Sequence, residues 1–190
     1  MHQSLCHVLQ LDIQGTPQAW ISPEHAASHM ASDAVAWVDG EGPLTTLRGG
    51  FNVALGCQSI IAVHPIIALR GASRLNLFDA APAFSKAKLF RRDRMTCAYC
   101  GQRFHDRDLQ CEHIVPQSRG GPWTWMNLVT ACGACNGRKA ARTPEEAGMP
   151  LLYLPYVPSR FEAFLLDGRQ IRADVHEWLA ARLPKASRLI

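Results

Sequence analysis

Three observations predict an α+β fold for this chain of 190 residues. Apolar and polar residues alternate near the N-terminus, which is typical of a half-buried strand, and apolar residues then recur at helical spacing. Two Cys-x-x-Cys pairs lie in the middle of the chain and indicate a small metal-stabilised core. A small α/β N-terminal segment therefore precedes this core, and a Pro-rich segment that ends in a helix follows it.

The N-terminal elements can be placed from their residue spacing. A strand containing Leu9, Leu11 and Ile13 is followed by a turn at residues 15–17, Gly-Thr-Pro. A helix is predicted next, with Ser22 as its cap. Its apolar face is formed by residues four positions apart: Ala26, Met30, Ala34 and Val38.

This predicted helix starts with Pro23 in its first turn and ends at Gly40. The run over residues 59–69 is rich in Ile and Val, which predicts one or two strands broken at Pro65. Further along the chain, Ser85 can cap a short basic helix.

We divide the chain into residues 1–85, 86–142 and 143–190. The first is an α+β segment suited to recognition or docking, with a linker near residues 72–85. The second carries the cysteine pairs. The third is an extension expected to pack on the core.

This C-terminal extension begins at Thr143 and Pro144 and is rich in Pro. Its amphipathic helix starts at Asp174, and the residues it is expected to bury are Val175, Trp178 and Leu179.

Composition narrows the functional class. Hydrophobic residues make up 47% of the chain, yet no run of 18 apolar residues is present, so no membrane span or membrane partner is expected. No basic segment precedes an apolar run at the N-terminus, which predicts a cytoplasmic protein. Its oligomeric state stays open.

Positive charge is concentrated on the cysteine-rich segment. Residues 86–142 contain eleven Lys and Arg against four acidic residues, a net charge of +7. Residues 1–85 have a net charge of −3, and residues 143–190 have none. A basic segment indicates a polyanionic partner such as nucleic acid, although a solvated surface explains charge equally well.

Two cysteine pairs predict a structural zinc site. Cys97 and Cys100 form one pair, and Cys132 and Cys135 form the other. Each pair can present two thiolates from one turn, and two such turns complete a tetrahedral Zn²⁺ shell. The 31 residues between Cys100 and Cys132 exceed the spacing of about 15–20 in a simple four-cysteine site, so an insert lies between the pairs.

The insert contains residues that suit hydrolytic chemistry. Glu112 and His113 place a carboxylate next to an imidazole at the end of a short predicted strand. Neighbours on a strand point to opposite faces, so the two side chains need a twist or bulge to share a site. Residues 128–130 predict the return strand, and residues 133–141 predict a helix anchored at its start by zinc.

Residues 97–142 resemble the HNH nuclease family, the ββα-metal fold. The resemblance rests on one ordered set of residues: Cys97, Cys100, Glu112, His113, Pro116, Gly120, Gly121, Trp125, Asn127, Cys132, Cys135, Asn136 and Lys139. It implies a divalent-metal-dependent endonuclease that hydrolyses phosphodiester bonds in DNA, expected to be double-stranded. The motif also occurs in enzymes that nick DNA or cut RNA, so the form of the substrate stays open.

The resemblance implies a role for each residue of the insert. His113 corresponds to the general base, and an imidazole suits taking a proton from water near neutral pH. Glu112 and Asn136 correspond to ligands of a catalytic Mg²⁺ or Mn²⁺ ion, because carboxylate and amide oxygens suit hard ions. Asn127 corresponds to a residue that fixes the loop between the strands.

Two positions depart from the commonest family pattern. Glu112 stands where many members have Asp, and Asn136 stands where others have His. An amide in place of an imidazole favours hard ions over softer ones.

Other residues of the segment have less specific interpretations. The candidate phosphate contacts are Arg119, Arg138 and Lys139. His105 and Cys111 are interpreted as ordinary surface or core residues, and Trp123 and Trp125 as packing residues. The alternative to a nuclease is a zinc-stabilised module that binds nucleic acid without cutting it.

Overall fold

The computed structural model describes residues 7–54, 56–71, 81–167 and 170–189. It is a mixed α+β structure with two compact units, which consist of residues 1–79 with 168–182 and of residues 80–167 with 183–190. Part of the predicted linker, residues 72–80, lies outside the described residues. None of the helices in the described ranges has the length and hydrophobicity that crossing a bilayer requires.

A four-stranded sheet forms the centre of the first unit, with strand order β2-β1-β6-β3. Its strands are β1 (Val8–Leu11), β2 (Pro17–Ile21), β3 (Val35–Asp39) and β6 (Ile66–Leu69). β1 is parallel to β6, and the other two pairings are antiparallel. The two central strands, β1 and β6, supply most of the fully buried apolar side chains of the sheet.

Helix α1 (Pro23–Ala31) follows β2, and the Ser22 hydroxyl accepts a hydrogen bond from the His25 N–H at 3.3 Å. The prediction that this helix continues to Gly40 was wrong. Asp33 adopts a left-handed conformation, with φ 54°, and ends the helical segment. β3 follows because its Val and Trp side chains favour an extended, half-buried strand.

A separate two-stranded sheet consists of β4 (Thr45–Asn52) and β5 (Cys57–Val63). The predicted break at Pro65 is confirmed, because β5 ends before it and β6 begins after it. Helix α6 (Ala173–Ala180) is the predicted C-terminal helix and belongs to the first unit. Val175 and Leu179 are buried as expected, whereas Trp178 is half-buried.

The second unit contains α2 (Lys86–Arg92), the hairpin β7 (Leu109–His113) and β8 (Leu128–Cys132), and α3 (Gly133–Lys139). Two further helices follow, α4 (Pro144–Ala147) and α5 (Arg160–Asp167). Residues 143–190 therefore do not form a unit of their own. Their first part stays with the second unit, where Lys88 of α2 pairs with Asp167 at 2.8 Å.

A buried ion pair connects α2 to the hairpin. The fully buried Arg92 donates to the carboxylate of Asp93 at 2.8 Å and to the carbonyl oxygens of Trp125 and Leu128 at 2.8 and 2.9 Å. Asp93 in turn accepts a hydrogen bond from the Thr130 N–H at 2.9 Å. Because every bond here satisfies a buried polar group, the network fixes β8 and the loop before it relative to α2.

Candidate active site

The hairpin of β7 and β8 has a regular antiparallel register that runs from Leu109 opposite Cys132 to His113 opposite Leu128. No bulge interrupts it, so the side chains of Glu112 and His113 leave the strand on opposite faces. No bulge within the ladder brings the two side chains onto one face.

Glu112 faces helix α3. Its Oε1 atom lies 2.6 Å from the Nζ atom of Lys139, which is fully buried, and the same Nζ donates to the carbonyl oxygen of His113 at 2.8 Å. Glu112 itself is buried, with 7% of its surface exposed. The ammonium of Lys139 therefore contacts the side chain of Glu112 and the main chain of His113.

Asn136 lies on the same side of β7 as Glu112. Its Nδ2 atom donates to Oε1 of Gln110 at 2.5 Å, and Gln110 shares a strand face with Glu112 because the two are two residues apart. Contacts from Asn136 to Gln110 and from Lys139 to Glu112 show that α3 runs along β7 in the strand's own direction.

Glu112 and Asn136 together offer one carboxylate and one amide oxygen, a donor set that fits Mg²⁺ or Mn²⁺. Within the described ranges, the four paired cysteines form the only cluster of three or more His, Cys, Asp or Glu side chains that can bind one ion. An ion at Glu112 and Asn136 would therefore complete its shell with water and substrate oxygens.

His113 is the last residue of β7, and its ring packs against Trp123. The two ring centroids are 4.6 Å apart and the rings are perpendicular. The Nε2 atom of His113 is buried and has no hydrogen-bond partner among the described residues. A buried ring nitrogen without a partner is uncommon in folded proteins and is a feature expected of a group that meets a ligand.

Asn127 fixes the loop after His113. Its Oδ1 atom accepts from the Val115 N–H at 2.9 Å, and its Nδ2 atom donates to the carbonyl oxygens of Val115 and Pro122 at 3.1 and 3.0 Å. Gly121 is required at the close approach in this loop, since a Cβ atom there would lie 1.8 Å from the Val115 carbonyl oxygen. The amide therefore closes the loop by three hydrogen bonds.

Replacing Asn127 with alanine should lower the free energy of unfolding by roughly 2–4 kcal/mol, because buried main-chain groups lose their partners. Urea denaturation measures this change. Gln117→Ala, at an exposed position of the same loop, is the control and should change stability by less than about 0.5 kcal/mol. If the two variants were equally stable, the loop would not depend on Asn127.

The four paired cysteines form a cluster that can hold a metal ion. One Sγ atom from each of Cys97, Cys100, Cys132 and Cys135 lies within 4.8 Å of the others. Thiolates around a tetrahedral Zn²⁺ at about 2.3 Å stand slightly closer together than this, so the cluster fits the ion. All except Cys100 are buried. The cluster thus joins the turn before β7 to the end of β8 and the start of α3.

The environment shifts the pKa values of Cys97, Cys100 and Cys135 in different directions. Burial, a hydrogen bond with Cys132 and the charge of Cys97 raise the pKa of Cys135 to about 12. Burial also raises the pKa of Cys100. Burial acts in the same direction on Cys97, but hydrogen bonds from backbone N–H groups outweigh it and lower the pKa of Cys97. An ion that binds here must displace protons, so acid weakens its binding.

A sequence model of the HNH endonuclease family matches residues 97–152. We call residues 97–152, over which the chain is similar to HNH endonucleases, the HNH segment. The HNH segment contains both cysteine pairs and all four residues of the predicted site. It extends beyond the predicted boundary at residue 142 and includes α4.

A solved structure of the type II-C Cas9 enzyme from Actinomyces naeslundii is also similar to this chain, at 22% sequence identity. The match covers 55% of this chain and 11% of that one, with a TM-score of 0.30. Similarity at this level carries no argument about fold or activity. No curated protein matches the chain significantly.

The basic residues of the HNH segment differ in accessibility. Arg138 is exposed. Arg119 is exposed as well, but its guanidinium pairs with both carboxylate oxygens of Glu146 at 2.7 and 2.8 Å and lowers the pKa of that carboxyl group. Lys139 does not fit the prediction of a phosphate contact, because it is fully buried and already bound to Glu112.

The remaining predictions on the HNH segment concern residues outside the site. His105 is exposed and Cys111 is half-buried, which agrees with their ordinary interpretation. Trp125 is buried and its Nε1 atom donates to the Pro82 carbonyl oxygen at 2.8 Å, so it packs as expected. Trp123 also packs edge-on against the rings of Phe84 and His113, although 56% of its surface is exposed.

Sequence reasoning missed Gln110 and Trp123, the two neighbours of the site. The position of Gln110, two residues before Glu112, is a usable signal because such residues share a strand face. No sequence signal places Trp123 against His113, since their contact depends on the path of the loop that Asn127 closes.

Proposed function

We propose that this protein is a divalent-metal-dependent endonuclease that hydrolyses phosphodiester bonds in DNA. The observation that carries the proposal is the buried Nε2 atom of His113, which has no partner in the described part of the chain. A purely structural histidine gains stability by bonding both ring nitrogens. The match of residues 97–152 to the HNH endonuclease model supports the same activity.

His113 acts as the general base in this proposal. Its Nε2 atom accepts a proton from a water molecule while the water oxygen bonds to phosphorus and the bond from phosphorus to the 3′ oxygen breaks. Asn127 holds the loop after His113 and so keeps the imidazole at the end of β7. Glu112 and Asn136 would hold a Mg²⁺ or Mn²⁺ ion on the α3 side of β7. A phosphate at the end of the strand, where His113 lies, would then contact both the imidazole and the ion. The ion would supply charge stabilisation for the phosphate and the departing oxygen.

The cysteine cluster has a separate, structural role in a ββα-metal fold. Four thiolates leave no open position on Zn²⁺, and a closed shell does not activate water. The ion would tie the start of α3 to the turn that carries Cys97 and Cys100. It would thereby hold Asn136 and Lys139 beside β7 without taking part in the reaction.

The phosphate-binding surface is proposed to include Arg138 and Arg119. Both lie within residues 86–142, whose net charge of +7 suits the backbone of double-stranded DNA. The pair between Arg119 and Glu146 is exposed, and such pairs contribute little stability, so a DNA phosphate can replace the carboxylate.

Incubation of the purified protein with supercoiled plasmid tests the proposed activity. We expect conversion to nicked or linear DNA with Mg²⁺ or Mn²⁺ and none with EDTA. Plasmid that stays supercoiled with both ions, under conditions in which the protein binds it, would support the zinc-stabilised binding module instead.

A further inference from the structure

The buried ammonium of Lys139 needs a physical reason. It is fully buried at the last residue of α3, a position where a lysine ordinarily reaches solvent. Burying a charged pair has a desolvation cost that a hydrophobic pair of similar volume avoids. Its two acceptors, Glu112 Oε1 at 2.6 Å and the His113 carbonyl oxygen at 2.8 Å, both belong to the proposed catalytic strand.

We propose that Lys139 is a positioning residue that shares the carboxylate of Glu112 with the catalytic divalent ion and so sets the affinity of the protein for that ion. This inference rests on the proposed roles of Glu112 and Asn136. The hydrogen bond to Oε1 orients the carboxylate and leaves Oε2 as its other donor to an ion. The hydrogen bond to His113 links the same ammonium to the main chain of the base.

Two opposing effects follow from this arrangement. Before an ion binds, Lys139 is the counter-charge of a buried carboxylate that would otherwise be unpaired. Once an ion binds beside Glu112, the ammonium and the ion have the same sign and repel each other. Lys139 therefore stabilises the ion-free protein and weakens binding of the ion.

Lys139→Met tests this balance, because methionine fills similar space without charge. The variant should be less stable than the wild type in EDTA. It should bind Mn²⁺ about tenfold more tightly, within the range typical of coupled sites. Binding is measured from the electron paramagnetic resonance signal of free Mn²⁺, and its effect on melting temperature is measured in parallel. Mn²⁺ should raise the melting temperature of this variant more than that of the wild type.

The double variant Glu112→Gln/Lys139→Met is the matched control. It removes both charges of the pair, so no buried charge is left unpaired. It should be more stable in EDTA than Lys139→Met and should lose the extra response to Mn²⁺. If the single variant folds poorly, the double variant shows whether methionine at this position is the cause or whether the unpaired carboxylate of Glu112 is.

Equal Mn²⁺ affinity in the wild type and Lys139→Met would overturn the inference and leave Lys139 a structural role alone. The same holds if the double variant responds to Mn²⁺ as strongly as Lys139→Met. Plasmid cleavage by the wild type separates this result from the proposed function. Cleavage with an unchanged Mn²⁺ affinity refutes only the role of Lys139, whereas tighter Mn²⁺ binding without wild-type cleavage refutes only the nuclease.

Discussion

Replacing His113 with alanine should reduce the rate of DNA cleavage by about 10²–10⁴-fold, the contribution expected of a general base. The fold should persist, because His113 is half-buried and lies at the end of β7, where its ring contacts Trp123. The cysteine cluster should keep its metal, since His113 is not among its ligands. Single-turnover cleavage of a plasmid, with circular dichroism and zinc content measured on the same sample, gives all three quantities.

His105→Ala is the control for the loss of an imidazole. His105 is exposed, lies in the same HNH segment and is not part of the proposed site, so its variant should cut at the wild-type rate. Wild-type cleavage by His113→Ala as well would remove His113 from the chemistry. Its buried Nε2 atom would then need another explanation.

Replacing Cys132 with alanine should abolish zinc binding and unfold the second unit. Cys132 is the last residue of β8, and its Sγ atom accepts a hydrogen bond from the Cys135 N–H at the start of α3. Its replacement would therefore remove a metal ligand and a contact between the hairpin and the helix. Structural zinc contributes about 10–16 kcal/mol in zinc-finger peptides. Since whole domains are stable by only about 5–15 kcal/mol, the remaining contacts cannot replace it.

Zinc content after gel filtration and the circular dichroism spectrum measure this effect. Cys111→Ala removes a half-buried thiol from β7 that lies outside the cluster, so it should keep one zinc ion per chain. A Cys132→Ala protein that retained one zinc ion and melted as the wild type does would rule out the four-cysteine site.

The parts of the site that depend on local sequence could be predicted. The two residues between the cysteines of a Cys-x-x-Cys pair allow a turn that presents both thiols to one ion, so the spacing alone predicts the cysteine cluster. The larger separation between the two pairs predicts the insert. The strands around Glu112 and residues 128–130 and the helix after Cys132 were also expected, and the structure has all three. Each of these features is decided by residues close together in the chain.

Features that depend on tertiary packing could not be predicted. Lys139 and Glu112 are 27 residues apart, and their pairing depends on how α3 lies along β7. From the sequence alone, a lysine near the end of a basic helix is expected at the surface, where it predicts a phosphate contact. Whether a bulge places Glu112 and His113 on one face is also decided by strand pairing, and the ladder has no bulge there.

The N-terminal unit shows the limit of periodicity. Ala34 and Val38 continue the helical spacing of α1, but they lie beyond Asp33, whose left-handed conformation ends the helical segment. Val35 and its neighbours instead pair with β6, since β-branched and aromatic side chains pack well on a sheet. A spacing of four residues therefore fits a helix, but pairing with a strand more than 25 residues away decides the structure.

The rate of plasmid cleavage as a function of Mn²⁺ concentration, compared between Asn136→Ala and His113→Ala, tests the central claim most directly. Asn136 is proposed to bind the ion and His113 to accept the proton. High Mn²⁺ should therefore restore much of the activity of Asn136→Ala, because only its affinity for the ion is weakened. No Mn²⁺ concentration should restore His113→Ala, because an added ion does not replace a missing proton acceptor. Recovery of His113→Ala at high Mn²⁺, or equal and unrecovered losses in both variants, would contradict the separation of base and metal ligand.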